Sequence, residues 1–389
     1  MKYKLAEIGR IVTGKTPSTK NKTSFSEEPD KYLFVTPRDM NSSEKTIKGT
    51  ERYLTDEVTN TFKNLVINDK SICVSCIGTI GKVFMPSGLA ITNQQINSIT
   101  EIKNFVLPDY LYYYLTIHQK DIENLAGGTT MPIVNKTSFE QLEVEIPDLE
   151  TQKKIVRILF ALDQKIELNN QQNKTIEKQA LALVQKYINN EKGTVKLKEI
   201  MSFDNGFAFK SKDYVDSGKY KVITIKNVQD GLIDSSSAQF VTDYPKDMRD
   251  YHKLSVGDVL LSLTGNVGRV GIVFEENLLL NQRVAKVKPK DENLLPFLYF
   301  FFRKKDFKQK LEALAKGTAQ LNLSPVETLN EKIAYSDQPV LELSNRLKPF
   351  FEKIVLNNQN NKTLSSIRDS LLPKLMSGEI NLNEATINE

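Results

Sequence analysis

Between residues 148 and 190 the hydrophobic pattern advances in alternating steps of four and three. The positions are Ile155, Leu159, Leu162, Ile166, Asn169, Asn173, Ile176, Ala180, Leu183 and Tyr187. The same alternation returns between 339 and 380, at Leu343, Leu347, Phe350, Ile354, Asn357, Asn361, Leu364, Arg368, Leu371 and Leu375. Flanking positions are polar or charged, so each stretch reads as one long helix with a heptad seam. Two such stripes in one chain bury each other most simply; the alternative is that each packs on a globular domain of its own. Polar seam residues cost stability but fix register. An antiparallel pairing sets Asn169 opposite Asn361 and Asn173 opposite Asn357, whereas a parallel one matches Asn169 with Asn357. The antiparallel form is favoured because it relates the two halves by a closed twofold. A helix of roughly 40 residues is about 60 Å long, a rigid spacer between domains. Pro373 is expected to kink or end the second helix near Leu372, Gly378 to stop what continues, and Arg368, opposite the repeat's small Ala180, to snorkel out or meet a partner.

Elsewhere the pattern is shorter and β-like. Runs at Tyr32–Val35, Ser71–Ile77, Lys82–Met85 and Ile96–Ile102 precede a helical stretch at Pro108–Asn124. A second series, Tyr220–Ile225, Asp258–Leu263, Val270–Phe274 and Val284–Val287, precedes a helical Leu295–Leu314. The domains expected are 1–147, a long helix at 148–190, a second domain at 193–338 and a long helix at 339–380, with Glu191–Thr194 as the joint. The fold class is α/β (α+β): two similar domains related by a pseudo-twofold, joined by two long antiparallel helices in a coiled coil.

The halves repeat in sequence as well. Residues 168–175 read LNNQQNKT and residues 356–363 read LNNQNNKT, 188 apart. Asn93-Gln94 recurs as Asn281-Gln282, Gly78–Val83 as Gly265–Val270, and Gly128-Thr129 as Gly317-Thr318. Leu5, Glu7 and Ile8 recur as Leu197, Glu199 and Ile200. Anchors in one order at nearly one spacing mean duplication, and each half is too long for a solenoid repeat.

Composition narrows the chemistry. The chain has 389 residues, 40% hydrophobic and 26% charged, with a net charge of +5. That mild basicity is compatible with nucleic acid. Cys73 and Cys76 form a CxxC, but within a strand such positions point to opposite faces. With only His118 and His252 besides, a four-ligand zinc site cannot be filled. No signal-peptide core or membrane-length apolar run is visible; a cytoplasmic location is expected.

Gly9–Thr16 fits GxxxxGK[ST] letter for letter. A phosphate loop must follow a hydrophobic strand and open a helix. Tyr3–Ile8 is not such a strand, and Pro17 follows. A nucleotide-binding enzyme built on Gly9–Thr16 is therefore the weaker reading, beside a bridging scaffold with no DNA role. What recurs is Gly, Thr, Asn, Gln, Lys and Arg, not acids and bases at matched places. Asn and Gln pair with adenine edges, and Arg or Lys reads guanine or neutralises phosphate. The candidate DNA contacts in the first half are Lys15, Thr16, Arg38, Thr79, Lys82, Asn93, Gln94 and Thr129. In the second they are Lys210, Lys226, Asn227, Asn266, Arg269, Asn281, Gln282, Arg283 and Thr318. Arg38 aligns with Lys226, and Lys82 with Arg269. For the glycine turns a plain strand connection, and for Asn93-Gln94 a clasp between loops, are equally open. No catalytic residue and no metal ligand is expected.

The arrangement resembles the specificity subunit of type I restriction–modification enzymes. The resemblance rests on Gly14–Ser18, Ile77–Gly81, Asn93-Gln94, Gly127–Thr129, Pro147–Leu162 leading into the heptads, and the closing Leu371–Ile380, and it spans nearly the whole chain. It implies two target-recognition domains, each reading half of a split, asymmetric site in double-stranded DNA. It implies helices that set the spacing and dock two modification subunits, and separate restriction subunits. S-adenosylmethionine, ATP and Mg would belong to those partners, with no cofactor and no catalysis in this chain. The second half has Gly206-Phe207-Ala208-Phe209 where the first has Gly14-Lys15-Thr16-Pro17, so that loop's conformation is not carried over.

Overall fold

Strand Ile96–Thr100 is buried at all five positions because it lies inside a sheet covered on both faces. It pairs antiparallel with Arg10–Thr13 on one side and Ile72–Ser75 on the other. Val83–Pro86 and a parallel Thr46–Ile47 complete five strands. The same sheet recurs in the order Met201–Asn205, Val284–Pro289, Val259–Ser262, Val270–Ile272, Gly231–Leu232, again ending on a parallel pair. A four-stranded sheet accompanies each and contains a parallel pair, at one edge in the first unit (Tyr32–Val35 with Ala90–Thr92) and at the centre in the second (Tyr220–Ile223 with Leu278–Leu280). The duplication read from the anchors is thus a duplication of strand register.

The computed structural model describes residues 1–18, 24–29, 31–41, 45–127, 132–315 and 322–380. It divides into two units, Met1–Glu167 with the chain from Leu364 onward, and Leu168–Thr363. Each unit takes a piece of both long helices, Leu149–Asn190 and Asp337–Met376. The first helix starts where Asp148 accepts hydrogen bonds from the Thr151 N–H (3.0 Å) and hydroxyl (2.7 Å).

Within the second unit the helices run antiparallel. Asn169 Nδ2 donates to Asn361 Oδ1 at 2.8 Å, and Asn357 Nδ2 donates to Asn173 Oδ1 at 2.7 Å. These are the pairs expected of an antiparallel seam. Farther along, Ala180, Val184, Leu343, Leu347 and Ile354 enter one core with Val259, Phe297 and Phe300. Within the first unit, Ile155, Leu159, Leu372 and Leu375 share a core with Leu5, Ile8, Tyr110 and Phe139. The stripes therefore do both jobs: asparagine pairs join helix to helix, and the apolar ends belong to each unit's globular core.

Two expectations are corrected, and a third is narrowed. The second long helix does not end near Leu372 but runs to Met376. Pro373 lies in the last turn, where it removes one donor, and Ser377 N–H still reaches the Pro373 carbonyl at 2.9 Å. The same helix also passes through Pro349. Of the two alternatives for Arg368, the structure shows contact with a partner, and that partner is within the chain: Nη1 binds Asp163 Oδ1 of the first helix at 2.8 Å. Burial of the guanidinium opposes its charge, and the adjoining carboxylates of Asp163 and Asp369 outweigh that and raise its pKa. The helical stretches are each two helices. Pro108–Ile117 breaks at His118 (φ −96°, ψ 26°) before Gln119–Asn124, and Leu295–Phe302 breaks before Lys305–Ala315. Gly378, at φ 74°, is the left-handed stop expected.

Candidate nucleic-acid interface

Three segments adjoin at one edge of each unit. The first leaves strand Arg10–Thr13. Gly14 N–H donates to the Ile96 carbonyl (3.2 Å) and Lys15 N–H to the Thr92 carbonyl (2.9 Å). A Cβ on Gly14 would lie 2.1 Å from the Thr92 carbonyl oxygen, so only glycine fits. In the second unit Gly206 sits equally close to Asn281, and Phe207 N–H donates to the Leu280 carbonyl at 2.8 Å. Gly9–Thr16 is therefore strand and sheet edge. Its N–H groups at Gly14 and Lys15 are spent on backbone carbonyls, which leaves no phosphate cradle.

The next segment is a side-chain-closed turn. Thr36 donates its N–H and its hydroxyl to Asp39 Oδ2, both at 2.8 Å. Thr224 does the same to Asn227 Oδ1, both at 2.9 Å. Thr36 and Thr224 stand 188 apart, the spacing of the anchors, so the repeat marks this turn as well. Arg38 and Lys226 hold the same place in these turns and point outward. Arg38 is 85% exposed, with Glu51 at 4.0 Å its ionic neighbour.

The third segment is the Asn-Gln pair. Asn93 N–H donates to the Val35 carbonyl (2.9 Å) and Asn281 N–H to the Ile223 carbonyl (3.1 Å). Asn93 is nearly buried, and its amide is committed to the Gln95 side chain (2.9 Å) and backbone (3.1 Å). Asn227 is buried too, bonded to Thr224 and to the Asp234 carbonyl at 2.9 Å. In each, the side chain holds its loop. Gln94 is exposed, with Thr16 Oγ1 donating to it at 2.6 Å.

In the second unit the turn and the Asn281 loop border a cleft of about 280 Å³, and the strand-end glycine segment lies outside its lining. Lys226, Asn227, Asn281 and Arg283, all sequence candidates, line it with Thr224, Ile225, Ser237 and Gln239. Gln239, on the edge strand Gln239–Val241, carries no sequence signal that marked it. Gln282 and Lys210 are exposed outside the cleft lining. Thr129 and Thr318 lie outside the described residues.

The glycine turns are closed in the same way by backbone hydrogen bonds in both units. Ser75 N–H donates to the Lys82 carbonyl (3.0 Å) and Gly81 N–H returns to the Ser75 carbonyl (2.9 Å); Ser262, Arg269 and Gly268 repeat this at 2.9 and 3.1 Å. Gly78, Gly81, Gly265 and Gly268 all have positive φ. Thr79 and Asn266 are exposed at the turn tips. Lys82 is half-buried, as is Arg269, whose Nη1 donates to Gln229 Oε1 at 2.7 Å.

Cys73 and Cys76 are buried and unlinked, and burial pushes their thiols up to about 12 and about 11. Among the described residues no group of His, Cys, Asp and Glu could hold a metal ion, and no helix is long and apolar enough to cross a membrane.

The family model for the type I restriction modification DNA specificity domain matches this chain twice, at residues 1–178 and 189–365. The chain belongs to that family, as a specificity subunit carrying two DNA-recognition domains and no catalysis of its own. It is 27% identical to the type I restriction enzyme MjaIX specificity subunit of Methanocaldococcus jannaschii, over 98% of this chain and 93% of that protein. It is 33% identical to the HindI specificity subunit of Haemophilus influenzae over 48% of this chain and 40% of that one. In fold it is similar to the crystal structure of the S subunit of a type I restriction-modification system from M. genitalium. The TM-score is 0.56 at 17% identity, covering 96% of this chain and 95% of that one.

Proposed function

We propose that each unit reads one half of a split DNA site, and that the three segments at its edge are the reading surface. The observation that carries this is the repeated geometry. In both units a strand-end glycine, a Thr-closed turn and an Asn-Gln pair adjoin, and the turn offers an outward cation, Arg38 or Lys226. In the second unit that cation faces a cleft with Gln239, Asn281 and Arg283, the groups that match base edges. The two surfaces differ in sequence, so the site they read is not a palindrome. Helices Leu149–Asn190 and Asp337–Met376 set the gap and dock two modification subunits. Those subunits take S-adenosylmethionine. Restriction subunits take ATP and Mg, and the assembly works on cytoplasmic DNA.

The test is affinity of the chain, assembled with its modification subunits, for its cognate duplex across a salt series. Arg283→Ala should cost ~1–3 kcal/mol, lost only when the second unit's half-site is present, with little change in salt slope. Arg38→Ala should weaken the other half. Equal losses on every sequence, with a shallower slope, would make these phosphate contacts and remove the base-reading role.

A further inference from the structure

The cleft of the second unit is tied to the first long helix by a chain of polar contacts. Glu177, on that helix, accepts from Arg303 Nε at 2.6 Å. Arg303 closes helix Leu295–Phe302 and is only 13% exposed. Its Nη1 reaches Asp230 Oδ1 at 2.9 Å, and Lys308 Nζ holds the other carboxylate oxygen at 2.7 Å. Asp230 lies on the hairpin tip bridged by Val228 and Ile233. Its neighbour Gln229 donates Nε2 to the Lys226 carbonyl at 2.8 Å and accepts from Arg269 Nη1 at 2.7 Å. Gly231, at φ 100°, lets the hairpin pass beside Arg303, whose Nη2 would lie 3.6 Å from a Cβ there.

A buried guanidinium shared by two carboxylates has one low-energy geometry, because its fork is planar and its donors are fixed. A hairpin held at Asp230 cannot shift without breaking that fork. Gln229 then has one side to offer Lys226 and the other to offer Arg269.

We propose that Arg303 is a positioning residue for the second reading surface, fixing Lys226 and Arg269 through Asp230 and Gln229 without touching DNA. This rests on that surface being the cleft together with Arg269, which Gln229 ties to the Lys226 backbone from outside the cleft lining. The experiment uses the full chain assembled with its modification subunits and a library of duplexes randomised over both half-sites. Arg303→Gln should reduce base discrimination roughly fivefold or more, at the positions that Arg269→Gln also affects. The other half-site should be unchanged, and so should the salt slope, since Arg303 meets no phosphate. The double variant should be no worse than Arg269→Gln alone. Additive losses, or a lowered melting temperature with discrimination intact, would overturn the proposal. If Arg303→Gln does not fold, Asp230→Asn, at the more exposed end of the link, is read in the same way. An Arg269→Gln variant with no effect on any sequence would sink the reading of the surface itself, a separate failure.

Discussion

His252 shows how local packing decides what a residue is for. Its ring lies against Tyr251 and Phe207, with centroids 4.2 and 5.6 Å away, and its Nδ1 accepts from the Arg249 N–H at 3.1 Å. Burial holds its pKa below the ordinary 6.5. The neutral ring is therefore favoured in the fold. Its contribution to stability is complete above about pH 6.5 and is lost as pH falls through the lower folded value. Melting temperatures taken from pH 7.5 to 5 should fall, and His252→Gln should flatten part of that fall; an identical slope in both proteins would contradict it. The same logic sorts the sequence candidates. Repeat spacing located Arg38, Lys226, Asn93 and Asn281, but spacing carries no information on where a side chain points. Asn93 and Asn227 are consumed by turns, whereas Arg38 one position before Asp39 is free of that turn. Only the bonded geometry separates them.

At the scale of elements, the heptad was the most legible feature because its period is set by helix geometry and spans many residues. The asparagine pairs followed from it. The misreadings lay where local propensity met tertiary support. Pro349 and Pro373 are tolerated because a helix whose apolar stripe is packed loses one donor at each and keeps the rest. Asp163, half-buried beside Tyr113, carries no sequence signal that marks it as the partner of Arg368. Among the described residues Asn357 Oδ1 is buried without a partner, so the seam carries an uncompensated polar atom. Replacing Asn169, Asn173, Asn357 and Asn361 together by leucine should raise the melting temperature and loosen register, read as lost DNA discrimination. Asn169→Ala alone, which deprives Asn361 Oδ1 of its donor, should instead destabilise by ~1–3 kcal/mol. A quadruple variant that melts higher and discriminates as well as the parent would remove the register role.

For the whole molecule, duplication was readable because anchors such as Asn93-Gln94 and Asn281-Gln282 keep their spacing while the residues between them diverge. The reading surfaces were not readable, since each is assembled from three segments distant in sequence and brought together by strand pairing. The account's central claim is one site in two separately read blocks. The direct measurement is selection of bound duplexes from a randomised library by the assembled complex. The account predicts two blocks of specified bases with a fixed gap, centred about one helical turn apart (~34–36 Å), and a Lys226→Ala, Arg283→Ala variant that alters one block alone. A single contiguous block, or a variant that alters both blocks equally, would contradict it.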